Sequence, residues 1–483
     1  MHRKIKKTRR VIGLAALAAF LLCASFSCSS KSKIDSREKK SRQAGMAAER
    51  AVRELEQKQS AALDSYIKSL SLRERLAQLF VINLEGDKKF WFVEWMDEYH
   101  LDADKAKRSF DPSGGVEVTK APLIPGGYIF FSFNIARDPE QIAAFTDSVR
   151  DFARGHDMLE PFLCLDAEGG YVNRLRGVAG PLPENEWISK NLSPKEAFLL
   201  YSLNAVQLRA LGFDLNLSPV VEVQNEANQE FLDGRSFGSA EQVKEYGSAA
   251  VVAYQTNKVA AVLKHFPGNN SVDLHRALPL LSFEKEGFER DVLEPFKALC
   301  ALRPSGVLMS HALVNVEGEA APFGQEQNLF QAHNTPASLS PYWIKDVLRD
   351  RLSFDGLVFS DDIFMAALEK NGWPSERAVK AAILAGVNCI LMSEKRFINE
   401  WNLVKKLYYS DADFRAAADD SIKRVLKFKL EQGILEWDFS EQKIVPKKSQ
   451  GDSDREQIRA DRLDRFRSAK SLNQEALKEY GQR

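Results

Sequence analysis

A single (β/α)8 barrel is the fold class the sequence predicts. Three observations point to it: length, eight continuously apolar segments, and an ionisable or polar residue closing most of them. With 483 residues, 44% hydrophobic and 28% charged, the chain can bury a large core. The apolar runs are "LFVINL" (79–84), "GGYIFFS" (126–132), "PFLCLD" (161–166), "FDLNLSPVV" (213–221), "VAAVLKH" (259–265), "SGVLMSH" (305–311), "GLVFSD" (356–361) and "VNCILMS" (387–393). Each is continuous rather than alternating, as expected of parallel strands covered on both faces. The gaps, such as "DPEQIAAFTDSVRDFAR", "PKEAFLLYSLNAVQLRALG" and "AEQVKEYGSAAVVAYQTN", have helical period and length. Strand and helix repeated eight times make a barrel.

The ends of the runs carry the third observation. Asp166, Glu222, Lys264, His265, His311, Asp361 and Ser393 fall at or just past a predicted strand's C-terminal end. Any one of them alone reads as a satisfied polar group capping a strand. Together they occupy the barrel face where catalytic residues distant in sequence converge.

The flanks are of a different character. Six Lys or Arg in "HRKIKKTRR" precede the apolar run "VIGLAALAAFLLCASFSC" and then "SSKSKIDSREKKSRQ", which reads as an export signal. The run is too short and too rich in small residues for a membrane span. Cys28 stands where a bacterial lipoprotein would be cut and acylated, although Phe26 and Ser27 make a loose cleavage box. An ordinary secretory signal is the alternative reading. The expected organisation is a signal over 1–28, a polar tether or helix over 29–66, the barrel over 67–436 and a charged tail, helical or disordered, over 437–483. The expected location is the periplasm or, through a lipid anchor, the membrane surface of a bacterial cell envelope.

Charge and cysteine usage exclude other classes. Lys plus Arg and Asp plus Glu both number 67, so no global field favours nucleic acid, and no nucleic-acid partner is expected. Beyond the leader only Cys164, Cys300 and Cys389 remain, within apolar stretches, which reads as buried core thiols rather than a disulfide or metal framework. The segment Asp87 to Pro125, with "FWFVEWMDEYHLD", exceeds a normal connection. It reads either as a lid or as an aromatic helix packed outside the barrel.

Two stretches could carry chemistry. In "DGLVFSDDIF" (355–364) an apolar strand delivers Asp361 to the barrel mouth, with Asp362 turned away from it. A carboxylate there can attack or stabilise an electron-poor carbon, although "SDD" also marks helix N-caps. In "KHFPGNNSVDLHRALP" (264–279), Asp273 and His275 are two apart, so in an extended loop the carboxylate can orient the imidazole for proton transfer. A surface Asp-x-His is the alternative. His265 and His275 lack a third ligand by spacing, so no metal and no cofactor are expected.

Taken in order, "LSLRERLAQLFVINLEG", "GGYIFF", "DAEGGYVNRL" (166–175), "LNLSPVVEV", "GRSFGS" (234–239), "KHFPG", "SPYWIKDVLRDRLSFDGLVFSDD" (340–362) and "AGVNCILMS" resemble the bacterial β-N-acetylglucosaminidases of glycoside hydrolase family 3. The resemblance spans roughly Leu70 to Leu435. It implies Asp361 as catalytic nucleophile, His275 as acid/base and Asp273 as the group orienting it. It also implies Asp166, Arg235, Lys264 and His265 as residues that grip the sugar ring, with no cofactor and a carbohydrate as partner. By the same resemblance the activity is retaining release of terminal β-linked N-acetylglucosamine from peptidoglycan fragments or chitin-type oligosaccharides. The loop after Gly268 is two residues shorter than usual; Asn269 replaces a histidine, Asn270 a glycine and Leu274 a small residue. Glu222 stands for an aspartate and Phe364 for a small residue, so an altered pocket is expected. The alternatives are a β-glucosidase or glycoside phosphorylase on the same barrel, or a catalytically degenerate envelope protein that binds sugar.

Overall fold

The computed structural model describes residues 31–90, 122–272, 277–317, 335–447 and 451–481. Each of the eight apolar runs forms a strand: β1 (Phe80–Asn83), β2 (Gly127–Phe130), β3 (Phe162–Leu165), β4 (Leu215–Asn216), β5 (Ala260–Phe266), β6 (Gly306–Met309), β7 (Leu357–Phe359) and β8 (Ile390–Met392). They form one parallel sheet in the order β7-β6-β5-β4-β3-β2-β1-β8. A parallel bridge between Phe359 and Cys389 brings its two edges together, with Ser360 N donating to Cys389 O at 3.0 Å. The expected barrel is therefore present, with its strands buried on both faces.

Helices form between strands where the period predicts them, because their starts are capped. Ser193 and Ser239 each accept from the backbone N–H three residues on, in reciprocal capping boxes with Glu196 and Gln242, at helices Pro194–Ala210 and Ala240–Thr256. Asp138 caps Pro139–Gly155, with proline at the first position, where no N–H is needed. Inside the barrel, large side chains face small ones. A Cβ on Gly127 would lie 2.4 Å from the Phe162 ring, and one on Gly306 would lie 2.8 Å from the Phe359 ring. Both glycines therefore vacate space for rings that meet edge-on, centroids 6.4 Å apart.

The strands' N-terminal end is closed by helix Ala412–Glu431, whose Val425 and Phe428 join the same core; Phe428 meets Phe162 at 5.3 Å. The next residue, Lys429, is wholly buried and donates to Gln78 Oε1 (2.5 Å) and Glu160 O (2.7 Å). Burial, outweighing the nearby Glu160 carboxylate, presses its ammonium down to about 7 from an ordinary 10.5. Between those values the unfolded chain binds a proton that the folded chain does not, so this group makes stability rise with pH across that window. The stability of the intact chain relative to Lys429→Met is expected to grow by about 2 kcal/mol from about pH 7 to about pH 9, read by urea unfolding. A difference independent of pH would contradict the depressed ammonium.

The chain divides into two units. One holds, among described residues, 31–66 and Trp437–Ile444; the other holds Ile67–Glu436 and Val445–Arg483. In the first, the polar stretch expected as a tether or helix lies in helix Lys31–Ser69. In the second, part of the segment expected as a charged tail is a 28-residue helix, Asp452–Glu479, which buries Leu463, Phe466 and Leu477. Arg462 binds Asp147 at 2.8 Å, and Lys470 Nζ donates to Val178 O at 2.7 Å. Its few apolar residues recur every three to four positions along one helix face, which suffices for docking though not for an apolar cluster in the sequence.

Among the described residues no helix is long and apolar enough to cross a membrane. The leader with Cys28 and most of the segment expected as a lid (residues 91–121) lie outside the described residues. Cys164, Cys300 and Cys389 are buried free thiols as expected, and burial pushes the Cys300 thiol up to about 12.

Candidate active site

Lys264 and His265 sit near the C-terminal end of β5, the longest barrel strand, every residue of which is buried. The Lys264–His265 and Phe266–Pro267 peptides are cis. Lys264 Nζ binds Asp166 Oδ1 at 2.7 Å and Glu168 Oε1 at 2.5 Å. Asp166 follows β3 directly, and Glu168 lies two residues further, on a short antiparallel ribbon of Ala167–Gly169 with Val172–Asn173. Gly169 sits at φ 113°, and a Cβ there would lie 2.2 Å from Pro183 O, so only glycine fits this turn. Between the two carboxylates, Asn216 clamps Ala167: its Oδ1 accepts from Ala167 N (2.9 Å) and its Nδ2 donates to Ala167 O (3.0 Å).

Arg235 approaches from the other side. It donates to Glu168 through Nε (2.8 Å) and Nη2 (2.9 Å), a two-pronged contact matched to a carboxylate. Its backbone is fixed by Asn185, whose Nδ2 donates to Arg235 O at 2.7 Å, and by neighbouring Ser236, whose hydroxyl donates to Glu222 O at 2.6 Å. Arg174 adds a contact from Nη2 to Asp166 Oδ2 at 3.3 Å. Glu168 is nearly inaccessible. Burial alone would raise its pKa, but Lys264 and Arg235 prevail and hold it at about 2. Against the effect of burial, Asp166 and Glu168 raise Lys264, and Glu168, with Glu222 and Asp166, raises Arg235. All three groups therefore stay charged across the neutral range.

Glu222, six residues past the short β4, organises the next part. Its Oε1 accepts from His265 Nδ1 (2.6 Å) and its Oε2 from Asn269 N (2.6 Å). A carboxylate can only accept, so His265 carries its proton on Nδ1 and turns Nε2 to other partners. The same residue pins the start of the loop leading to Asp273 and His275. Those two residues lie outside the described residues.

Across the mouth, Asp361 lies two residues beyond β7. Among the described residues, the one hydrogen bond to its carboxylate comes from the adjacent Asp362 N, 2.9 Å from Oδ1. Asp362 is engaged differently, its Oδ1 accepting from Ser393 N (3.1 Å) and Phe364 N (3.2 Å). His311, buried after β6, steadies this turn: its Nε2 donates to Asp362 O at 3.0 Å and its Nδ1 accepts from the Ser338 hydroxyl at 2.6 Å.

The structure thus brings Asp166, Arg235, Lys264 and His265 into neighbouring polar clusters on the expected face, with Asp361 on the same end of the barrel and sharing no hydrogen bond or ion pair with them. Glu168 and Arg174 are the additions that sequence reading missed. Their one signal is position within "DAEGGYVNR", where Glu168 is two residues from Asp166. Chemically, the cluster leaves Arg235 Nη1 without a protein acceptor among the described residues and the mouth lined by fixed donors and acceptors, the inventory that recognises vicinal hydroxyls. No group of three or more His, Cys, Asp or Glu able to hold a metal ion occurs among the described residues.

Known proteins agree with this architecture. Residues 72–428 match the family model described as the glycosyl hydrolase family 3 N terminal domain. The chain is 32% identical over 278 residues to a β-hexosaminidase of Alkalilimnicola ehrlichii, covering 55% of this chain and 73% of that one. It is 31% identical over 283 residues to one of Methylococcus capsulatus, covering 55% and 75%. Its fold is similar to that of a glycoside hydrolase family 3 β-N-acetylglucosaminidase from Paenibacillus sp. FPU-7, with TM-score 0.62 and 24% identity, over 82% of this chain and 69% of that one. With most of its length matched, and on the barrel its motifs implied, the chain belongs to glycosyl hydrolase family 3.

Proposed function

We propose that the protein is an exported retaining β-N-acetylhexosaminidase that releases terminal β-linked N-acetylglucosamine from peptidoglycan fragments or chitin-type oligosaccharides. The observation that carries this reading is the contrast among the carboxylates at the barrel mouth. Asp166 and Glu168 are held by cations, Glu222 by a histidine and Asp362 by two backbone amides, whereas among the described residues Asp361 accepts from its neighbour's amide alone. An ionised carboxylate without a cation beside it keeps its nucleophilicity.

In the proposed mechanism Lys264, Arg235, Asp166 and His265 hold the ring hydroxyls, and Asp361 attacks the anomeric carbon as the glycosidic bond breaks. His275, oriented by Asp273, gives its proton to the departing oxygen. It then takes a proton from water, which attacks the glycosyl-enzyme and frees Asp361. A neutral-to-cationic acid/base avoids a second anion beside the nucleophile. Phe364, three residues from Asp361 and 37% exposed, supports contact with a larger leaving group.

An assay on aryl β-N-acetylglucosaminide and β-glucoside, with and without phosphate, tests this reading. The expected result is phosphate-independent release from the N-acetylated substrate, with the activity in the cell-envelope fraction. Preference for the glucoside would identify a β-glucosidase, and phosphate-dependent release of a sugar phosphate would identify a phosphorylase. No turnover of either would leave a sugar-binding protein.

A further inference from the structure

The barrel's other end carries a second concave site. A cavity of about 440 Å³ lies beneath the strand N-termini, lined in part by Glu160 and Asp214, which shortly precede β3 and β4. One wall is the helix Asp452–Glu479, which contributes Arg455, Arg459, Arg462 and Arg465. Steps of three or four residues place these on one helix face. The helix lies beyond the family-matched residues 72–428, so this wall is an addition to the matched barrel. The opposite wall supplies Arg150, Arg154 and Arg209, and Lys447 stands nearby.

The carboxylates in the cavity do not balance these cations. Asp147 is shared by Arg459 and Arg462, at 2.8 Å each. Asp214 is shared by Arg150 (2.7 Å) and Arg209 (2.6 Å), and Asp151 by Arg154 (2.8 Å) and Arg455 (3.3 Å). Glu160 binds Arg154 at 2.7 Å. Eight cationic side chains against four carboxylates leave an excess of four positive charges. Arg465 and Lys447 are exposed and have no carboxylate partner among the described residues, and Arg462 Nε is buried without an acceptor. Gathering like charges in one concavity costs Coulomb energy that a bound anion would return. Burial already presses the Arg462 guanidinium down, and Arg150 and Arg459 press it further, despite Asp147.

We propose that this cavity binds a ligand carrying more than one phosphate group, independently of the sugar site. Guanidinium forks match phosphate oxygens in pairs, and two phosphoryl groups at about −2 each match the excess charge. The volume admits several such groups side by side.

The full chain is titrated with tripolyphosphate by calorimetry at low ionic strength and, separately, with phosphatidylcholine vesicles that contain or lack cardiolipin, a lipid with two phosphates. Saturable binding of tripolyphosphate identifies a soluble oligophosphate as the source, and binding to the anionic vesicles alone identifies a lipid headgroup. In either case the double variant Arg465→Ala with Lys447→Ala is expected to bind at least about tenfold more weakly. Both residues are exposed and have no carboxylate partner among the described residues, so its unfolding temperature and glycosidase turnover should match those of the intact chain. No saturable binding to either probe, or equal binding by the double variant, would overturn the proposal.

Discussion

Replacing Asp361 by Asn is expected to lower kcat on an aryl β-N-acetylglucosaminide by about four orders of magnitude while leaving the fold intact. The amide keeps the shape, and its carbonyl oxygen can still accept from Asp362 N, but it cannot form the glycosyl-enzyme. Because Asp361 is half-buried and bonded to one neighbouring amide, little folding energy is at stake. Urea unfolding should therefore superimpose on that of the intact chain. Azide supplies a second readout in Asp361→Gly, where the small anion can occupy the vacated space and attack in the carboxylate's place. Partial recovery of turnover with an α-linked glycosyl azide as product is the expected result. Full activity in Asp361→Asn would remove the residue from the mechanism.

Glu168→Gln should damage stability as well as activity. Its carboxylate is shared by Lys264 and Arg235, both deeply set, and Asp166 remains as a partner for Lys264 alone. Removing one member of a buried charge network leaves the others uncompensated, a loss of about 3–5 kcal/mol. The sign of the pH dependence follows from the depressed pKa. With the folded value at about 2 and an ordinary value of 4.5, the carboxylate's contribution is fully present above about pH 4.5. It is lost as pH falls towards 2, over a span worth about 3 kcal/mol. Unfolding measured from pH 6 down to about 2.5 should show the intact chain losing stability faster than Glu168→Gln. Parallel curves would mean that Glu168 is not held ionised by its partners.

The barrel was legible because its strands are covered on both faces. Runs such as "FLCL" and "GLVF" carry no polar interruption, so period and position coincide. The strand ends were legible for the converse reason, since Asp166, Lys264 and Asp361 break apolar runs where a barrel opens. Glu168 was not, because its importance lies in partners 96 and 67 residues away that no spacing rule connects to it. Glu222 stood out as a strand-end residue, but its two tasks, fixing the His265 proton and pinning Asn269 N, appear only in three dimensions. The helix Asp452–Glu479 reads as a solvated tail in sequence because charge dominates its composition. Four of those charges instead line a cavity against the barrel, and Leu463 and Phe466 provide the apolar contact.

The central claim, a covalent glycosyl-enzyme on Asp361, is tested most directly by trapping it. A fluorinated N-acetylglucosaminide that forms the intermediate quickly and releases it slowly is incubated with the intact chain, and the protease-digested product is read by mass spectrometry. One sugar attached to Asp361, absent in Asp361→Asn, is the predicted result. A sugar on another residue, or continued turnover with no adduct formed, would contradict it.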